Sequence, residues 1–255
     1  MTSLARSGRA LVALVLGPLI IWQAVVWAGV EFYMLPSPTN VAIALAENHE
    51  LILSHAGTTY LEVVAGLALG TALGAESAMI MSYWRPARLW LLPLLLIGLA
   101  VPVFAIAPLL VLWFGFGIVP KIVVVALIVY FPVTTAYFDG LRRTDPGWLD
   151  LARVMNFSRW ATLRHVRMPA AMPALASGVR IATALAPNAA IVGEWVGASS
   201  GLGYLMMHDN ARTETARMFA ALVVLAVFAV ALYFTVDLVL RRLISWQAEI
   251  LPSKE

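Results

Sequence analysis

Six long, predominantly apolar stretches constrain this chain more than any other feature: about Ala10 to Val30, Thr58 to Tyr83, Leu89 to Phe114, Lys121 to Gly140, Ala174 to Val196 and Met218 to Leu240. A run of roughly 20 such residues spans the hydrocarbon core as a helix, which in lipid satisfies its backbone polar groups internally. Only 12% of the 255 residues are charged and 62% are hydrophobic, whereas soluble domains carry about 25% charge. The expectation is an all-α integral membrane protein with six transmembrane helices, forming a single transmembrane domain over residues 1–255.

Local signals refine these spans. A cleaved signal peptide would carry a shorter apolar region, about 7 to 15 residues, with an A-x-A-like exit, so the first stretch reads as an anchor. Pro93, Pro102 and Pro108 stud the third span and Pro132 the fourth; each removes a backbone donor, so kinks are expected there. Between the first two spans, LPSPTNVAIALAEN opens on a turn-forming Pro-Ser-Pro and continues as a short surface helix. Cysteine is absent, so disulfides and thiolate metal sites are excluded. His49, His55, His165 and His208 show no metal-ligand spacing.

The basic residues indicate orientation. With a cytoplasmic N-terminus, Arg6, Arg9, Arg85, Arg88, Arg142, Arg143, Arg153, Arg159, Arg164, Arg167, Arg241, Arg242 and Lys254 lie inside. Lys121, Arg212 and Arg217 fall outside, and the connection from Glu31 to Ala56 contains neither Lys nor Arg. This asymmetry places both termini in the cytoplasm and requires an even number of spans. The net charge of +3 thus reflects the membrane rather than a nucleic acid.

On that topology the long inner connection, residues 141–172, contains DLARVMNFSRWATLRHVRMP, Asp150 to Pro169. Thr144 or Asp145 can cap a first helix opened by Pro146. Asn156 suits the left-handed turn that ends it. Ser158 can cap a second helix, RWATLRHV, which Pro169 is expected to stop. The pattern fits arginines meeting lipid headgroups, or a docking element anchored by Leu151, Val154, Met155 and Trp160.

The spacing distinguishes these. Asp150-Leu151-Ala152, three residues, Asn156, nine residues, then Val166-Arg167-Met168-Pro169 resembles the cytoplasmic signature of bacterial ABC importer permeases, with Asp150 in place of Glu and Asn156 in place of Gly. LPSPTNV, PLLVLWFGFGIVPKI and GEWVGASSGLGYLM look like the branch importing taurine, sulfonates, nitrate and vitamin precursors. GLGYLMMHDNARTETARMF and RRLISWQAE are most similar to hydroxymethylpyrimidine (thiamine precursor) permeases, with taurine, sulfonate, nitrate or riboflavin-type solutes as the alternative cargo of the same machinery.

The resemblance implies a type I importer permease fold in the bacterial inner membrane, moving a small polar solute by alternating access. Implied partners are an ATP-binding subunit that holds ATP and Mg, a second permease copy as a homodimer, and an external or periplasmic solute-binding protein. Asp150, Leu151, Ala152, Met155, Asn156, Trp160 and Pro169 would couple the ATPase to the spans between which they lie. No Walker motif is present, and none of the hydrolase or zinc-protease signatures, so this chain is expected to be neither an enzyme nor a holder of its own cofactor. The alternatives are a membrane-embedded lipid enzyme using Glu76 or Glu194, and a secondary carrier.

Within the spans, Gly66, Gly70 and Gly74 form a small-residue stripe suited to close helix approach, within the chain or between copies. Glu62 and Glu76 are expected to point away from that stripe, Glu62 at the interface and Glu76 either on the translocation path or paired with Arg85 or Arg180. Asn188, beside Pro187, and Glu194 are the other candidates for the path, because polar residues at that depth are costly unless used.

Overall fold

The computed structural model describes residues 16–246, without the side chain of Leu99. The expectations for Arg6, Arg9, Lys254 and the opening residues of the first span lie outside the described residues. Helix α1 is described over Leu16–Trp27. It is followed by α2 Pro38–Glu47, α3 His49–Tyr83, α4 Arg85–Ala100, α5 Val103–Phe114, α6 Val119–Arg142, α7 Pro146–Val154 and α8 Arg159–Thr162. A π-helical turn, Leu163–Arg167, leads into α9 Met168–Trp195, and α10 Leu202–Ala211 and α11 Thr215–Leu243 complete the fold. No strand occurs among the described residues.

Four of these continuous helices are long and apolar enough to cross a membrane: His49–Tyr83, Val119–Arg142, Arg159–Trp195 and Thr215–Leu243. The pair α4–α5 makes a fifth if counted as one span, but it bends by 105°. The third expected span is therefore a broken pair rather than one kinked helix. Pro93 and Pro108 are accommodated inside α4 and α5, whereas Val101 before Pro102 is extended, at φ −80° and ψ 123°. A proline disfavours the helical conformation of the residue before it, which locates the break.

The second span also departs from expectation: α3 begins at His49 and runs for 35 residues. A hydropathy window misses the polar first turns, which continue the same helix. The predicted surface helix is α2. Ser37 caps it by accepting the Asn40 N–H at 3.2 Å, and Val41 and Ala44 turn inward. Helix α10 carries no comparable sequence signal and was not anticipated.

The chain divides into two compact units. One comprises the described residues up to Thr58 with Ser200–Ala226. In it the Trp22 indole N–H donates to the Pro36 carbonyl at 3.0 Å, the Thr215 hydroxyl donates to the Tyr33 carbonyl, and Arg217 grips buried Asp209 with two hydrogen bonds of 2.6 and 2.9 Å. The other comprises Thr59–Ser199 with the described residues from Val227 on. Its core joins Val63, Leu67, Val125, Val129, Val179 and Ala186, and a second cluster joins Met81, Leu95, Tyr137, Phe138, Leu141 and Leu163.

Glycine permits the closest approaches in this second unit. A β-carbon on Gly70 would lie 2.6 Å from the Ala126 carbonyl oxygen, one on Gly66 would overlap Val125, and one on Gly178 would lie 2.9 Å from the Pro132 carbonyl oxygen. The stripe on α3 is thus intrachain packing against α6, and α9 uses Gly178 to meet α6 in the same way.

Candidate functional site

The polar hook is built by local capping. The Asp145 carboxylate accepts the Gly147 N–H at 2.7 Å, with Pro146 in the first turn of α7, where an absent donor costs nothing. At the other end, Asn156 is left-handed at φ 55°. Its N–H donates to the Arg153 carbonyl, and the Phe157 N–H donates to the Ala152 carbonyl, both at 2.9 Å. That pair of bonds is a Schellman motif. Ser158 then caps α8 by accepting the Ala161 N–H at 3.1 Å.

The expected stop at Pro169 does not occur. Helix continues from Arg159 through the π turn into α9, reaching Trp195. The Met168 N–H donates to the Leu163 carbonyl, five residues back. Pro169 falls in the first turn of α9, just beyond this widened turn, where its ring and missing N–H are tolerated. The second hook helix and the following span are consequently one continuous helical body.

The first hook helix is amphipathic, and beside its exposed Asp150 and Arg153 it displays an apolar strip. Leu151 is 49% exposed, Met155 58% and Val154 80%, while Ala152 is buried. Asp150 is exposed and pairs with Arg153 at 2.7 Å. Trp160 packs edge-on against Tyr83, ring centroids 5.9 Å apart, so it meets the end of α3 rather than sharing the face of α7.

The spans hold a second polar centre. Glu62 is fully buried, with its Oε1 3.2 Å from the Lys121 ammonium. The Thr59 hydroxyl donates to Glu194 at 2.6 Å, and Thr59 and Glu194 are also fully buried. The cluster overturns the expectation that Glu62 points away from the glycine stripe: Glu62 lies four residues before Gly66, on the same row, and so faces α6 as the glycines do. Sequence reasoning missed Thr59 and Lys121. The available signal was a lysine and a glutamate of opposite sign at the starts of two apolar runs.

Glu76 is exposed and makes no ion pair among the described residues, so the suggested pairing with Arg85 or Arg180 is not found. Arg180 instead donates to Asp237 at 2.6 Å, and Asp237 also receives Arg241 at 2.8 Å. Asn188 is exposed on α9, on the same face as Ser177, Ile181 and Ala184. Glu194 is buried beside Thr59. No group of three metal-ligating residues occurs among the described residues.

Residues 63–245 match the family model described as "Binding-protein-dependent transport system inner membrane component". The "Probable ABC transporter permease protein" of Haemophilus influenzae is 52% identical over 89% of this chain and 93% of its own length. A Bacillus subtilis relative carrying an aliphatic-sulfonate transport permease name is 33% identical over 89% of this chain and 83% of its own. The "Formylaminopyrimidine transport permease protein ThiX" of Halalkalibacterium halodurans is 30% identical over 90% of this chain and 92% of its own. Among solved structures, one titled as an amino acid ABC transporter superposes with a TM-score of 0.62, covering 80% of this chain and 98% of that one at 18% identity, a likeness of fold.

Proposed function

The chain belongs to the family of binding-protein-dependent transport system inner membrane components, and from that premise we propose that its hook, α7 to the π turn, is the contact through which a separate ATP-binding subunit drives import of a small solute. The supporting observation is the exposed apolar face of α7, Leu151, Val154 and Met155, held rigidly by the Schellman turn at Asn156. Apolar side chains projecting from a capped helix suit insertion into a groove of a partner. The continuous helix from Arg159 to Trp195 gives such a contact a stiff path into the span that bears Asn188.

In this reading the partner holds ATP and Mg, and the chain forms six spans with both termini cytoplasmic as a single transmembrane domain. Two copies pair as a homodimer beneath an external solute-binding protein. Ala152 supports the hook from its buried side, Pro169 opens the driven span, and Trp160 steadies the hook against Tyr83. Asn188 lies on the translocation path together with other exposed positions of α9.

The proposed substrate is hydroxymethylpyrimidine or a near thiamine precursor, supported by the motif resemblance and by the formylaminopyrimidine permease relative. The sulfonate-named relative favours a second reading, an aliphatic sulfonate, through the same machinery. Copurification with the ATP-binding subunit tests the hook. Asp150→Arg is expected to lose the subunit and ATP-driven uptake together, and retention of both would refute the assignment. Competition between labelled hydroxymethylpyrimidine, riboflavin and an aliphatic sulfonate in vesicle uptake separates the substrates.

A further inference from the structure

Two adjoining cavities beside the hook remain unused by this reading. The first, about 490 Å³, is lined by Arg153, Arg159 and Arg167 together with Ser82, Tyr83 and Phe157, and among the described residues no acidic side chain lines it. Two polar atoms there are buried and lack hydrogen-bond partners, Ser82 Oγ and Arg167 Nε. The second, about 570 Å³, is lined by Met79, Ile80, Tyr83, Trp84 and Trp160, with Glu76 as the only charged residue among the described ones. Tyr83 and Leu163 line both, so a guanidinium-rich pocket adjoins an apolar, aromatic groove.

We infer that this composite cavity is a binding site for an anionic phospholipid, with its phosphate among Arg153, Arg159 and Arg167 and an acyl chain along Trp160, Trp84 and Ile80. The pocket offers planar donors suited to a phosphate, two of them on the helix that continues into α9. The Arg167 guanidinium lines the pocket, and its Nε makes no hydrogen bond within the protein, so the group is not committed to an internal partner there. Arg153 already shares its charge with Asp150, so Arg159 and Arg167 carry most of the attraction.

The groove identifies the source of the phosphate. A free phosphate or a nucleotide has no use for an adjoining apolar channel, whereas a lipid fills both halves. Trp84 and Trp160 are of the type enriched where a membrane meets water. The site lies at the end of α3, a helix long and apolar enough to cross the bilayer, which would bring it to the headgroup layer. It needs neither a particular substrate nor a particular orientation of the chain.

Native mass spectrometry of the complex, as it copurifies from membranes into detergent doped with equal phosphatidylglycerol and phosphatidylcholine, tests the assignment. Phosphatidylglycerol is expected to be retained preferentially. Arg159→Gln with Arg167→Gln should weaken that retention by about fivefold per arginine, while the charge-matched control Arg212→Gln with Arg242→Gln preserves it. Equal loss in both variants, or no loss in either, overturns the site.

Displacement of the lipid by millimolar inorganic phosphate would overturn it in favour of a free anion. Retention by the permease alone but exclusion from the complex would assign the pocket to the partner subunit instead. Should the arginine variants fail to assemble, brominated phosphatidylglycerol must quench tryptophan fluorescence of the unmodified protein more than brominated phosphatidylcholine does. Trp160→Phe must remove part of that difference, and equal quenching by the two lipids refutes the proposal.

Discussion

Asp150 and Glu62 are carboxylates of one chain in opposite physical situations. Asp150 stands 67% exposed beside Arg153, whereas Glu62 has no exposure at all against Lys121. An exposed pair gains little because water screens it and long side chains lose freedom in holding it. A buried pair has already lost its hydration, so removing one partner strands the other. Charge on the hook is therefore available to a partner, while charge in the cluster is committed to holding α3 and α6 together.

The largest expected effect follows from stranding Glu62. Lys121→Met should lower stability by about 3–5 kcal/mol, read as a fall in the thermal unfolding midpoint of the purified complex. Adding Glu62→Gln should recover a substantial part. A single variant that melts like the parent would erase the distinction between the two regions. Gly70→Val comes next, because its side chain must displace the Ala126 carbonyl and Val129; overpacking of this kind costs about 1–3 kcal/mol. The same melting measurement reads it.

On the hook the effects on stability shrink. Asn156→Val forces a β-branched residue into the left-handed region, costing about 1–2 kcal/mol, while Asn156→Gly should be neutral or slightly stabilising. Hydrogen exchange at the Asn156 and Phe157 amides would separate the two variants. Asp150→Asn should change stability by only ~0–1 kcal/mol. A melting shift as large as that of Lys121→Met would show that Asp150 is structural rather than displayed. Asn188→Leu is expected to leave melting unchanged and to alter uptake kinetics in vesicles.

The same contrast explains what could be read in advance. The hook was legible because its determinants are local: Asp145, Pro146, Asn156 and Ser158 each act on neighbours within a few residues. Where its reading failed, at Pro169, the rule that proline stops a helix was offset by a π turn whose presence no residue type announces. The facing of Glu62 was legible in its four-residue spacing to Gly66, but its burial was not, because that depends on Lys121, 59 positions away, and on the Thr59–Glu194 pair beyond. Arg180 likewise found Asp237, 57 residues on, rather than Glu76.

What the sequence determined by itself is the set of properties carried by short stretches: apolar runs that must become helices in lipid, caps that begin and end the hook, and glycines that allow close approach. Pro102 marked where the third span breaks, but the 105° angle of that break, the continuity of α8 with α9, the burial of Glu62 and Glu194, and the meeting of Arg159 and Arg167 with Tyr83 were decided only in the tertiary structure. The physical reason is distance along the chain. Backbone preference and hydrogen-bonding caps act over a turn or two, whereas burial and charge pairing depend on which remote helix the fold brings alongside.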